Sequence, residues 1–344
     1  MFEYLCDLDR ILSLRKRKTI DIVKRRAVIT ANRVHLRKFP AHNPVSIFNA
    51  SMIADGEELI IYGRIILGYF TYASAVAEIK MNIGDIYGDS SEHYIAEIVV
   101  YPDSKFDIWG VEDPRVYELD GKRYMTYCGR TVRYFDPHVR VERTLPVTAV
   151  FEGGWRKLYV FRMPPNIRNF VVSDKDAFLV RNKGGLKLFH RPHISGLEEE
   201  KFYLAISKVE DLPQKFSEIN VQGTVIVMEP AKFEERVGWS TPPVKVDSEY
   251  LFLLHAIDSE KKCYRVFAML MDDETITAIT PHYIMEPREN YEIYGDRPFV
   301  VFPCGAQLID DKLLISYGAA DSAVGIGEID ISELMSILDS NRIE

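Results

Sequence analysis

The chain has 344 residues, 47% of them hydrophobic and 27% charged, the balance of an ordinary globular protein. A net charge of −8 provides no global field for nucleic acid or an anionic membrane, so any anion-binding chemistry must come from a local cluster of Arg and Lys. The four cysteines, Cys6, Cys128, Cys263 and Cys304, are far apart with no C-x-x-C pair, which argues against a zinc site or a disulfide framework, and no apolar run reaches the ~20 residues of a membrane span.

The N-terminus, MFEYLCDLDR, lacks the charged-then-apolar order of a signal peptide, and a protein of a reducing, cytoplasmic compartment is expected. Residues 3–27 are expected to be helical, within an N-terminal extension over 1–30. Seven basic residues fall between Arg15 and Arg26 without interleaved aromatics, which favours a solvated or oligomer-forming helix over a nucleic-acid patch. Five hairpin signals follow. IADGEELIIYGR turns near Asp55-Gly56, YELDGKRYMTYCGR at Asp120-Gly121, FLVRNKGGLKLFHR near Lys183-Gly184, VKVDSEYLFLLHA at Asp247-Ser248 and QLIDDKLLISYGA at Asp310-Asp311.

The second turn residues, 56, 121, 184, 248 and 311, are 65, 63, 64 and 63 positions apart. Such a period holds about four strands with their loops. HYIAEIVVY, LPVTAVF, KFYLAIS, GTVIVME, YRVFAMLM and GIGEIDI supply further strands. Four-stranded units repeated around an axis describe a β-propeller, here an all-β, five-bladed one over 31–335. The competing fold is a pair of β-sandwiches with coincidental spacing. SELMSILDSN reads as a closing helix, with a tail over 336–344.

A propeller brings equivalent strand ends to one mouth. Asn49, Asp113, Asp176 and Cys304 each lie six or seven residues before a turn, and Arg64, Arg130, His190, Arg191, His255 and Asp321 mark the far ends of the second strands. Period-two alternation sends Glu112 and Asp113 to opposite sides and puts Arg115 beside Asp113. Lys175, Arg191 and Arg236 form a candidate cation cluster that would repel itself without an anion, and guanidinium suits phosphate oxygens. Motifs for phosphate loops, dinucleotides, nucleophile elbows and H-E-x-x-H metal sites are absent.

NPVSIFNAS, GVEDPR, the DKDA and HRP pair, VGWSTPPVKV, YGDRPFVVFPCGA and YGAAD occur in order from about residue 43. Together they resemble glycoside hydrolase family 130, the β-mannoside phosphorylases and their relatives. That resemblance implies a five-bladed propeller and an inverting attack of inorganic phosphate on a β-mannoside to give α-mannose 1-phosphate. Asp113 would be the sole catalytic acid, relaying its proton through a hydroxyl of the mannosyl ring. Lys175, Arg191, Arg236 and His255 would bind phosphate. Asn49, Arg64, Arg115, Asp176, His190 and Asp321 would contact the sugar. No metal or cofactor is implied, and a homo-oligomer is expected. The FNAS stretch is closer to members acting on β-1,2-linked mannosides than to the FNP-type pattern, while Arg236 stands where the family more often has Lys. A hydrolase or a mannosyltransferase on the same fold are the competing activities.

Overall fold

In the computed structural model, which describes residues 2–88, 91–133, 136–196 and 200–343, each of the five hairpins supplies the two innermost strands of one sheet. The inner strands are Ser46–Asp55, Val111–Leu119, Val171–Asn182, the broken pair Glu234–Trp239 and Val244–Val246, and Val301–Ile309. They pack against one another around a common axis, and several are buried on both faces. The inner strand of the first blade, for instance, is buried from Ser46 to Ile53. Outward from it the first blade adds Glu58–Gly68, Ala73–Asn82 and Tyr94–Val100 by antiparallel pairing. This is the five-bladed propeller that the period predicts. Cores between the sheets are filled by Ile, Val, Leu, Phe and Met side chains.

Three blades carry an extra outermost strand laid parallel on the fourth: Val34–Leu36 on the first, Ser217–Asn220 on the second and Glu3–Tyr4 on the third. The fifth blade has only three strands from its own stretch of chain. Its outer strand is Lys24–Thr30, antiparallel to Ala323–Asp330, so an N-terminal segment completes the last blade and closes the ring.

This corrects the expected helix over 3–27. The helix spans only Leu8–Leu14, N-capped by the Asp7 side chain accepting from Arg10 N. The next residues run extended across the fourth blade, with Lys16 N donating to Pro281 O, Ile20 N to Tyr283 O and Ile22 N to Ile284 O. The β-branched stretch Thr19–Val23 favours this course, and Ile22 and Val23 enter the core. Of the seven basic residues, Lys16, Lys18 and Lys24 are exposed, while the four arginines are ion-paired to the blades. Arg15 pairs with Glu234, Arg17 with Asp258 and Glu260, Arg25 with Asp21 and Glu292, and Arg26 with Glu328. At the other end the helix Ile331–Asp339, capped by the Asp330 carboxylate, buries Leu334 and Leu338, so the expected boundary at 335 falls inside a packed helix. No helix among the described residues is long and apolar enough to cross a membrane.

Arg15 anchors the N-terminal strap. Its side chain is fully buried, 3.7 Å from the Phe267 ring centroid, donating to Glu234 Oε1 at 3.0 Å and to Thr280 O at 2.9 Å. Removing one partner of a buried ion pair strands the other charge. Arg15→Ala is expected to cost about 3 kcal/mol, read as a lower urea midpoint at unchanged m-value. The Arg15→Ala/Glu234→Ala double variant should lose less than the sum of the two single changes.

Candidate active site

At one phase of the inner strands the ladder slips. In the first three blades the pairing register shifts between Phe48 and Ser51, between Glu112 and Arg115, and between Lys175 and Phe178. Each slip contains one residue in the left-handed region, Asn49 (φ 45°), Asp113 (φ 50°) and Asp176 (φ 52°). A bulge re-aims the side chain it carries, and Asn and Asp are the non-glycine residues that tolerate this conformation best. All three line one cavity of about 360 Å³ at the mouth of the ring. The close fit extends to the neighbouring blade, where a Cβ on Gly318 would overlap Asn49 Oδ1.

Asp113 Oδ1 accepts from Asn49 Nδ2 at 2.8 Å and from Arg64 Nη1 at 3.0 Å. Oδ2 has no hydrogen-bond partner among the described residues. Glu112 is held differently. Arg64 Nη2 (2.9 Å) and Arg130 Nε (2.8 Å) donate to Oε1, and Arg130 Nη2 (3.1 Å) and Lys175 Nζ (3.5 Å) to Oε2. Burial pushes its pKa up, but Arg130, Arg64 and Lys175 outweigh burial and hold it well below the usual carboxylate range. Asp176 is buried too, yet Arg191 at 2.5 Å and Arg115 at 3.0 Å keep it ionised. Asp321 goes the other way. Burial, only partly offset by Arg64 and reinforced by the Asp113 charge, raises it to about 6.

Seven cations and four carboxylates line the cavity among the described residues: Arg64, Arg130, Arg143, Lys175, Arg191, Arg236 and Arg297 against Glu112, Asp113, Asp176 and Asp321. Arg236 makes no ion pair among the described residues, and its guanidinium lies 4.4 Å from the Phe202 ring centroid. Burial and the charge of Arg191 lower its pKa, a repulsion that a bound anion would relieve. Among the described residues no cluster of three His, Cys, Asp or Glu side chains is arranged to hold a metal ion.

Asn49, Arg64, Asp113, Lys175, Asp176, Arg191 and Asp321, which share the repeat phase, thus line one cavity together with Arg236, the third member of the candidate cation cluster. Three expected ligands stand behind its wall. Arg115 is fully buried and ties Asp176 to the carbonyls of Asp113, Trp239 and Ser240. His190 sits inside the third blade between Asp174 and Ser207. His255 is buried against Asp176 and Ser240, and burial drops its pKa to about 3, so its ring is neutral. These residues hold the wall in place; the outward turn of the bulges puts their neighbours on it. The bulge also overturns the expected alternation, because Glu112 and Asp113 both face the cavity while Arg115 does not. Sequence reasoning missed Glu112, and it also missed Arg143, Arg297, Tyr72, Tyr264, His193 and Phe202, most of them outside the repeat phase. Arg297 lies in the quoted YGDRP stretch, which was its one signal.

A family model described as beta-1,4-mannooligosaccharide phosphorylase matches residues 13–340, and the chain belongs to that family, glycoside hydrolase family 130. A beta-1,2-mannobiose phosphorylase of Thermoanaerobacter sp. strain X514 is 27% identical over 298 residues, 83% of this chain and 90% of that protein. A 1,2-beta-oligomannan phosphorylase of the same strain is 28% identical over 240 residues, 69% of this chain and 73% of that protein. Among solved structures, the beta-1,2-mannobiose phosphorylase of Listeria innocua in complex with beta-1,2-mannobiose superposes with a TM-score of 0.65 at 18% identity, covering 89% of this chain and 96% of that one.

The raised pKa of Asp321 has a stability cost. An acid whose pKa climbs from 3.8 to about 6 on folding binds more protons in the folded state between those values. Stability therefore falls as pH rises through that window, and the full penalty is present above it. Asp321→Asn should stabilise the protein at pH 7.5, by about 1 kcal/mol for a partly solvated side chain. The gain should vanish below pH 4 in urea titrations run from pH 4 to pH 8.

Proposed function

We propose that the chain is an inverting β-mannoside phosphorylase acting on β-1,2-linked oligomannosides, in which Asp113 is the acid and the surplus cations of the cavity hold phosphate. Phosphate attacks the anomeric carbon, the bond to the leaving sugar breaks, and a proton that starts on Asp113 reaches the leaving oxygen by way of a hydroxyl of the mannosyl ring. The products are α-mannose 1-phosphate and a shortened saccharide. The observation that carries this is the state of Glu112. An inverting hydrolase needs a second carboxylate to deprotonate water, and the carboxylate next to Asp113 is locked by three cations and cannot serve as a base. Phosphate arrives as an anion and needs no base. It needs positive charge in a water-poor cleft, which Lys175, Arg191 and Arg236 offer, the last with no ion pair among the described residues.

The β-1,2 preference rests on the relatives, since the more similar ones named above act on that linkage while the family model bears a β-1,4 name. Four free cysteines and a charged product that a cell retains fit a reducing, cytoplasmic compartment. The specific support for a hydrolase is Asp321, whose pKa of about 6 suits a general base.

Phosphate release from mannose 1-phosphate and a manno-oligosaccharide acceptor tests the proposal. The parent enzyme should release phosphate, and Asp113→Asn should lower turnover by about 10³-fold with the fold intact. Arg236→Ala should raise KM for phosphate about tenfold in the phosphorolytic direction and leave KM for the mannoside nearly unchanged. Mannoside cleavage in phosphate-free buffer that is abolished by Asp321→Asn would establish hydrolysis instead.

A further inference from the structure

The cavity has two chemically different ends. Toward the third and fourth blades it is walled by Arg191, Arg236 and Phe202. Toward the first and fifth blades it is bounded by Tyr72 and Asp321, with the Arg297 guanidinium turned to the Tyr264 ring of the fourth blade at 5.6 Å, and there the rim carries aromatic side chains that face solvent. The hairpin tip between Glu58–Gly68 and Ala73–Asn82 is closed by Tyr72 N donating to Gly68 O. Its Tyr69 is 66% exposed and its Phe70 91%. Beside it, the segment that leads into the fifth blade's inner strand carries Tyr294, 73% exposed, and Phe299, 47% exposed. The two segments are joined directly, since Tyr72 OH donates to Asp296 Oδ2. The second segment is also fixed to the blade below it by Arg297 N donating to Ala320 O and Asp296 N to Ser322 Oγ.

Resting on the phosphorolytic function above, we infer that this aromatic rim is the distal subsite for the leaving saccharide, stacking on sugar units beyond the one attached to the scissile bond and setting the preference for chain length. Inversion requires nucleophile and leaving group on opposite faces of the anomeric carbon. With the anion held at the Arg191 and Arg236 end, the leaving saccharide departs toward the first and fifth blades. Asp113 is oriented from that side, by Asn49 and Arg64 of the first blade. A pyranose presents an apolar C–H face and a ring of hydroxyls, and a rigid aromatic with a polar neighbour matches both. Tyr69, Phe70 and Tyr294 supply the faces, and Asp296 and Arg297 stand beside them to take hydroxyls. Solvent exposure of four large aromatics next to one polar cavity is costly unless a ligand covers them.

The test uses mannose 1-phosphate as donor and acceptors of one to four mannosyl units, with Phe70→Ala, Tyr294→Ala and the double variant. Neither residue lines the catalytic cavity. The expected result is a fall of about tenfold in kcat/KM for the tetrasaccharide relative to the shortest acceptor that the parent enzyme uses, arising in KM. The outer-edge variant Ile95→Ala should match the parent at every length. Equal loss at all lengths, or no loss at any, overturns the inference. So does a change of sedimentation mass in Phe70→Ala, which would show the tip buried against a second copy of the chain. Absence of phosphate release by the parent with every acceptor would instead overturn the phosphorolytic function itself.

Discussion

The site depends on one backbone event repeated in three blades, a bulge whose single left-handed residue turns a polar side chain toward the axis. In a regular inner strand, alternate side chains would enter the two flanking cores, and a carboxylate there would be stranded among Ile and Val. The bulge removes that conflict. Each left-handed residue costs on the order of 1 kcal/mol, and Asn49, Asp113 and Asp176 are the residue types for which the cost is least. The conformation is held by what surrounds it. Gly318 leaves space for Asn49, and Gly238 leaves space for the pairing of Asp176 with His255, because a Cβ there would meet both side chains.

Charge is distributed by the same logic. Seven cations around one cavity would drive the blades apart if their charge were left uncompensated. The structure resolves this by giving different carboxylates different duties. Glu112 and Asp176 are anions that pair with Arg64, Arg130 and Lys175 and with Arg115 and Arg191 respectively, offset part of their charge and fix their directions. Asp113 accepts two hydrogen bonds on Oδ1, and its Oδ2 has no partner among the described residues. The ion pairs also bridge blades. Arg64 of the first blade reaches the second, and Lys175 of the third reaches Glu112 of the second, so the ligand site and the inter-blade contacts are one network.

How much of this could be read in the sequence follows from the range of each interaction. Asp55-Gly56 and Asp120-Gly121 are local signals that need only their own turn, and their spacing carried the five-bladed architecture. The phase of Asn49, Asp113 and Asp176 placed them at one mouth for the same reason. Alternation misled at Glu112 because a bulge is invisible to period-two counting. The N-terminal residues misled because their helical composition is overridden by partners more than 200 positions away, such as Glu234 for Arg15 and Glu328 for Arg26. His190 and His255 lie on second strands, as the wall residues Arg64, Arg130 and Arg191 do, but their rings are buried against Asp174 and Ser207 and against Asp176 and Ser240 and do not reach the cavity.

The closure of the ring follows from that long-range pairing. A propeller must hold its first and last blades together, and here the strand Lys24–Thr30 does so from the opposite end of the sequence. Preceding it, the strap touches the third blade through Glu3–Tyr4 and the fourth through Arg15, Ile20 and Ile22. Opening the ring at any of these blades would separate side chains that the cavity needs at hydrogen-bond distance, since Arg191 and Arg236 lie on the third and fourth blades and Asp321 on the fifth. A site assembled from bulges on separate sheets has only the precision of the contacts between those sheets. The ion-paired strap, which contributes no atom to the cavity, is therefore part of what keeps Asp113 and the cations in register.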